Sequence, residues 1–284
     1  MVNEEPLIID AHQHFWKYDA QEYAWISDEL APLKRDFLPE ELLQLLNKEK
    51  ISGAISVQAR QSEKENEFLL NQAKGNPFIK GVVGWIDLRS EKVEERLSFY
   101  RNFPILKGFR HVVQDEKDPE FMLHPAFLQG IEQLIKYGYC YDILVYARQL
   151  PQVLAFLNHF PDKPFIIDHV AKPDIKQGGF TSWQADMRKI AAFPKVLIKV
   201  SGMITEADWH HWEKEDFYPY LDELVLSFGV ERLCYGSDWP VCNLAGNYSM
   251  QWDIVKTYFS TFNPSDINKV MGWNTQRFYH LNEK

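Results

Sequence analysis

His12 and His14 stand one residue apart in IIDAHQHFW, behind an apolar run and ahead of two aromatics. In an extended strand, residues i and i+2 share a face. Both imidazoles can then enter one pocket and bind a divalent transition metal at ~2.0–2.1 Å. His169 and Asp238 offer a third imidazole and a carboxylate that would complete the shell and leave a position for water. An H-x-H pair alone is more often structural than functional; the later His169 and Asp238 reverse that preference. Asp168 and Asp238 also have ordinary uses, as turn or loop caps.

Other polar residues fall near the ends of apolar runs: Gln58, Asp87, Arg110, His111, Asp168, Lys172, Lys199, Ser201 and Ser237. Arg110 suits a carboxylate or ring oxygen, because its planar fork makes paired hydrogen bonds. Its neighbour His111 must face the other side of a strand, which argues against a metal pair. Trp16, Trp85 and Trp239 could stack on a sugar or flat ring, although aromatics at 14% of the chain are more often plain core. No G-x-S-x-G elbow surrounds Ser201 or Ser237, so a serine nucleophile is disfavoured.

Eight apolar segments must position these groups, over 7–15, 51–59, 78–87, 105–113, 139–147, 165–172, 196–202 and 233–241. Several are continuous apolar runs, which suits strands buried on both faces. Helical spacing occupies 38–50, 64–76, KVEERLSFYR, HPAFLQGIEQLIKYG, LPQVLAFLNHF, WQADMRKIAAF and YPYLDELVLSFG, with a last helix over 265–280. Pro39 and two glutamates open the 38–50 helix and lysines close it, matching the helix dipole. Gly75 is the expected C-cap of the 64–76 helix.

Eight alternations predict an α/β fold, a (β/α)8 TIM barrel formed as a single domain over 1–284. A doubly wound sheet is disfavoured, because no G-x-G-x-x-G follows a strand. The longer connections at 16–37, 114–124, 172–182 and 240–252 follow strands 1, 4, 6 and 8. They lie on the face where barrel active sites are built.

The 31 basic and 40 acidic residues give a net charge of -9. That balance disfavours nucleic acid and anionic membrane as partners but leaves a small anionic substrate open, given screening over ~8 Å. Cys140, Cys234 and Cys242 have neither disulfide-framework nor zinc-knuckle spacing. The acidic start MVNEEP does not resemble a signal peptide, and no apolar run approaches the ~20 residues of a membrane span. A reducing, cytoplasmic setting is expected. Oligomeric state is left open, a homo-oligomer included.

The ordered set DAHQHFW, KGFRHVVQDE, YDILV, IDHVAKPDI, IKVSG and YGSDWPV resembles the amidohydrolase superfamily, in its branch of sugar-lactone hydrolases. L-fuconolactonase and L-rhamnonolactonase belong to that branch, and 2-pyrone-4,6-dicarboxylate lactonase is a more distant member. The likeness spans nearly the whole chain. It implies a distorted barrel with His12 and His14 on strand 1, His169 on strand 6 and Asp238 on strand 8. It also implies that Asp238 takes a proton from the attacking water. Binuclear members carry a bridging Lys or Glu on strand 4 and a histidine on strand 5. Arg110-His111 and Asp142 stand there instead, which argues against a binuclear centre.

The expected activity is therefore hydrolysis of a small lactone, most simply a sugar-acid lactone. Asp238 would be the general base, and His169 would act with it. One divalent metal, zinc first, would sit on His12, His14, His169 and Asp238, with catalysis without a metal left open. Trp16, Gln58, Arg110, His111, Lys172 and Trp239 would contact the substrate. The alternatives are a decarboxylase or hydratase, a lactone isomerase, and, from another class, a non-catalytic sugar-acid binding barrel.

Overall fold

A computed structural model describes residues 7–281 of the chain; the acidic segment 1–6 lies outside the described residues. Eight strands make one parallel sheet in sequence order. They are β1 (Ile9–Gln13), β2 (Gly53–Val57), β3 (Ile79–Gly84) and β4 (Leu106–Val112). β5 (Cys140–Leu144), β6 (Phe165–Ile167), β7 (Val196–Val200) and β8 (Leu233–Tyr235) follow. Beyond the strand ends, Asp238 N donates to His12 O at 2.8 Å and His14 N to Trp239 O at 2.7 Å. These bonds close the sheet on itself, as the TIM-barrel expectation requires.

A helix follows every strand. They are α1 (Pro39–Glu49), α2 (Glu63–Gly75), α3 (Val93–Tyr100) and α4 (Pro125–Lys136). α5 (Leu150–His159), α6 (Phe180–Ile190), α7 (Tyr218–Phe228) and α8 (Tyr248–Phe259) complete the set. Short helices α9 (Pro264–Asn268) and α10 (Asn274–Phe278) end the described chain, joined by a wider π turn over Lys269–Trp273. Among the described residues, no helix is long and apolar enough to cross a membrane.

The core divides into two layers. Between sheet and helices lies a large apolar layer that includes Phe15, Trp16, Phe37, Phe109, Tyr141 and Trp239. Inside the barrel a smaller cluster, with Ile9, Ala11, Ile55, Val57, Cys140 and Leu197, is capped by Phe278 and Tyr279. Ala11 and His12 are adjacent yet both serve the interior, which strict alternation forbids. The register shift between Asp10 and Gln13 makes room for this, as bulges do where a side chain must be re-aimed.

Four sequence expectations change. The 165–172 segment stops being a strand after Ile167, because His169 through Lys172 all take left-handed backbone angles. Gly75 is the last helical residue, and Asn76 is the cap, with φ -132°. The 265–280 helix is broken by the π turn. Helix α8 was missed: Asn247 caps it by accepting from Met250 N at 3.0 Å. Its buried face mixes Gln251 with aromatic and β-branched residues, which weakens the periodic signal.

Candidate active site

Three imidazoles and a carboxylate meet at the C-terminal mouth of the barrel. His12 lies on β1, His14 directly follows it, His169 follows β6 and Asp238 follows β8. All four are buried, with Asp238 only 3% exposed. His12 Nε2 lies 3.1 Å from His14 Nε2 and 3.9 Å from Asp238 Oδ1. His14 Nε2 and His169 Nε2 lie 3.5 and 3.8 Å from the same oxygen. Ligands on a tetrahedral ion at ~2.1 Å stand ~3.4 Å apart, a spacing that His12, His14 and Asp238 approach as one group.

The outer nitrogens explain how the rings are aimed. His14 Nδ1 donates to Val57 O at 2.8 Å, and His169 Nδ1 faces Ser201 Oγ at 2.9 Å. His12 Nδ1 sits between Asp168 Oδ1 at 3.3 Å and Lys199 Nζ at 3.1 Å. Contacts of this kind hold the orientation of each ring, with the Nε2 atoms turned toward the site. Gly202, at φ +63°, backs His169: a Cβ there would fall 2.7 Å from Nδ1. Asp238 itself has φ 55°, a conformation costing an L-residue about 1–2 kcal/mol. Its N–H bond to His12 O holds it.

A charge network lies beneath the imidazoles. Lys199, fully buried, is ion-paired with Asp142 and, at 3.0 Å, with Asp168. Arg110 Nη1 reaches Asp168 Oδ2 at 2.9 Å and His12 Nε2 at 3.2 Å. Tyr279, entering from the opposite end of the barrel, donates to Asp142 Oδ2 at 2.7 Å. Asp142 thus belongs to an internal ion pair.

Burial sets the protonation states, with neighbours correcting it. Desolvation drives His12 and His169 well below the ordinary histidine value of 6.5, so both are neutral at pH 7. Burial pushes the Asp238 carboxyl up, but His169, His14 and Lys172 outweigh it and hold the group below its ordinary value of 3.8. Asp238 is therefore an ionised acceptor beside neutral His12 and His169. Burial likewise opposes the charge on Lys199, yet Asp142 and Asp168 keep it an ammonium.

The cavity over this cluster holds about 340 Å³ and reaches His14, Arg110, His169, Lys172 and Asp238. Four residues expected at the substrate do not line it. Trp16 is fully buried and donates through Nε1 to Arg35 O at 2.9 Å. Trp239 packs edge-on to Phe37 in the outer layer. His111 points outward, stacked on Phe121 at 4.5 Å and bonded to Glu116, as alternation beside inward-facing Arg110 demands. Gln58 is buried behind the wall, with Nε2 donating to Arg110 O at 3.1 Å. Asp87 accepts from Arg89 N and caps a turn.

Sequence reasoning missed the rim. Glu22, Trp25, Arg60, Gln61, Gln114 and Asp115 line the cavity. They lie on loops whose only signal was their position after strands 1, 2 and 4. Ser201 and Ser237 are scaffold: Ser237 N donates to Asp10 Oδ1 at 2.9 Å, and its Oγ accepts from Trp239 N at 3.0 Å.

An amidohydrolase family model matches residues 9–281. The chain is 38% identical to an L-fucono-1,5-lactonase of Burkholderia multivorans, covering 98% of this chain and 97% of that protein. It is 26% identical to an L-rhamnono-gamma-lactonase of Scheffersomyces stipitis, over 69% of this chain and 68% of the other. Among solved structures, a Burkholderia multivorans amidohydrolase described with bound zinc superimposes with a TM-score of 0.93 at 38% identity. That match covers 96% of this chain and 99% of the other.

Proposed function

The chain belongs to the amidohydrolase family, and on that premise we propose that it is a hydrolase opening the lactone of a sugar acid. The observation that carries this reading is an ionised, buried Asp238 within 4 Å of three imidazoles at the floor of a cavity. The relatives named as sugar lactonases support the substrate class. The substrate is a small molecule.

Asp238 takes a proton from a water directed at the lactone carbonyl, as general base. The carbonyl oxygen gains negative charge as the tetrahedral intermediate forms and needs donors in place. Arg110 and Lys172 line the cavity and carry fixed positive charge. When the intermediate collapses, the ring C–O bond breaks and the ring oxygen leaves as a hydroxyl. Its proton comes from Asp238, now the acid. His12, His14 and Asp238, which stand together at metal-ligand spacing, with His169 beside Asp238, would hold one divalent ion, for which zinc is our assignment. Such an ion supplies Lewis acidity toward the carbonyl and a more acidic bound water. Arg110 Nη1 at 3.2 Å from His12 Nε2 would have to withdraw for that nitrogen to ligate. We place the enzyme in the cytoplasm, in keeping with three buried, unpaired cysteines.

A panel of aldonolactones, followed by acid release with a pH indicator, with and without chelator and added zinc, tests the reading. Turnover of five- or six-membered sugar lactones supports it. Retention of lactones without acid release favours a binding protein, and conversion only of unsaturated or aromatic acids favours a decarboxylase.

Two further outcomes follow from the site. Since His12 and His169 titrate below 6.5 and Asp238 below 3.8, none of the three changes charge above pH 7, and kcat/KM of the chelator-treated enzyme should be level there. It should decline only on the acid side of 6.5; a limb centred above 7 would contradict the assignment. Gly202→Ala should displace His169 and lower kcat/KM by about 100-fold, with circular dichroism unchanged. Wild-type turnover in that variant would show that the ring needs no such backing.

A further inference from the structure

The rim segment 22–25 is built to hold an aromatic ring over the cavity. Tyr23 is 3% exposed and donates to Glu65 Oε2 at 3.0 Å, while its ring lies 5.0 Å from Arg60 Cζ. Glu65, buried on α2, also accepts from Ala59 N and from Arg60 Nε, both at 2.9 Å. Arg60 is ion-paired in turn with Glu22. One carboxylate therefore ties the loop after β1 to the loop after β2. Ile26, on the far side of Trp25, is buried as well.

Between these anchors Trp25 stays 38% exposed and faces the cavity, standing edge-on to buried Trp16 at 5.8 Å. An indole held at a cavity mouth, with anchored residues on both sides, is a preformed surface rather than a loose loop residue. The same cavity has apolar wall at Ala24, Val112, Leu144 and Val241, and polar wall at Gln61, Gln114, Asp115 and Lys172. A saturated ring bearing hydroxyls at its edge and C–H bonds on its face matches both kinds of wall.

Resting on the lactonase reading, we propose that Trp25 is the specificity platform of the site. The C–H face of a polyhydroxylated lactone ring stacks on its indole. The contact is made equally in the bound substrate and during reaction, so it sets KM and leaves kcat nearly untouched.

The probe is a polyhydroxylated six-membered lactam, in which ring N–H replaces the ring oxygen and resists hydrolysis. Its Kd is measured by calorimetry on wild type, Trp25→Ala and Trp25→Phe, beside lactone kinetics on the same preparations. The expected result for Trp25→Ala is a rise of about tenfold or more in lactam Kd and lactone KM, with kcat within about threefold. Trp25→Phe, which keeps an aromatic face, should stay within about threefold of wild type throughout. Unchanged lactam affinity in Trp25→Ala overturns the platform, even where wild type turns over lactones. Trp25-dependent lactam binding without any lactone turnover in wild type supports the platform and removes the hydrolase reading instead.

Discussion

Asp238→Asn is expected to lower kcat on a sugar-acid lactone by about 10³-fold, within the usual range for a general base. The amide keeps the size and the backbone bond from Asp238 N to His12 O, so the barrel closes as before. The lost property is a carboxylate held ionised by His169, His14 and Lys172 against the pull of burial. Asn has no basic oxygen at neutral pH, so water loses its proton acceptor. Lactam binding measured in the variant should match wild type, separating chemistry from fold. A kcat within about tenfold of wild type would move the base elsewhere, with His169 the next group in reach.

Lys199→Met is expected to destabilise the fold by about 3–5 kcal/mol, the usual result of removing one member of a buried ion pair. Asp142 and Asp168 would then face each other in the barrel interior without the ammonium between them. Lys199 is fully buried, so solvent does not screen the loss. Adding Asp142→Asn should restore part of the stability, because it removes one uncompensated carboxylate. The midpoint and slope of urea unfolding read both variants. Equal midpoints for wild type and Lys199→Met would mean that the interior takes up a proton instead.

Much of this was legible in the sequence, for identifiable reasons. A continuous apolar run is recognisable as a two-sided strand, and all eight predicted segments contain a strand. The period-two argument placed His12 and His14 together and set Arg110 and His111 on opposite faces of β4. Strand ends, however, do not report side-chain depth. Trp16 and Trp239 were expected at the substrate, but Trp16 is buried among Tyr23, Trp25 and Phe37 of its own loop and Trp239 against Phe15 and Phe37. Trp25, nine residues after Trp16 on an irregular loop, carries no periodic signal. Its exposure depends on Tyr23 finding Glu65 on another element. Lys199 and Asp142 were visible as polar residues in apolar strands, but their pairing needs the barrel to close first.

Hydrolysis in H2¹⁸O, with products analysed by mass spectrometry at early times, tests the central claim most directly. Water attack at the lactone carbonyl predicts one ¹⁸O per product molecule, located in the carboxylate and absent from the hydroxyl released by ring opening. Conversion of the lactone without ¹⁸O, or with the label at the ring carbon bearing that hydroxyl, would contradict it.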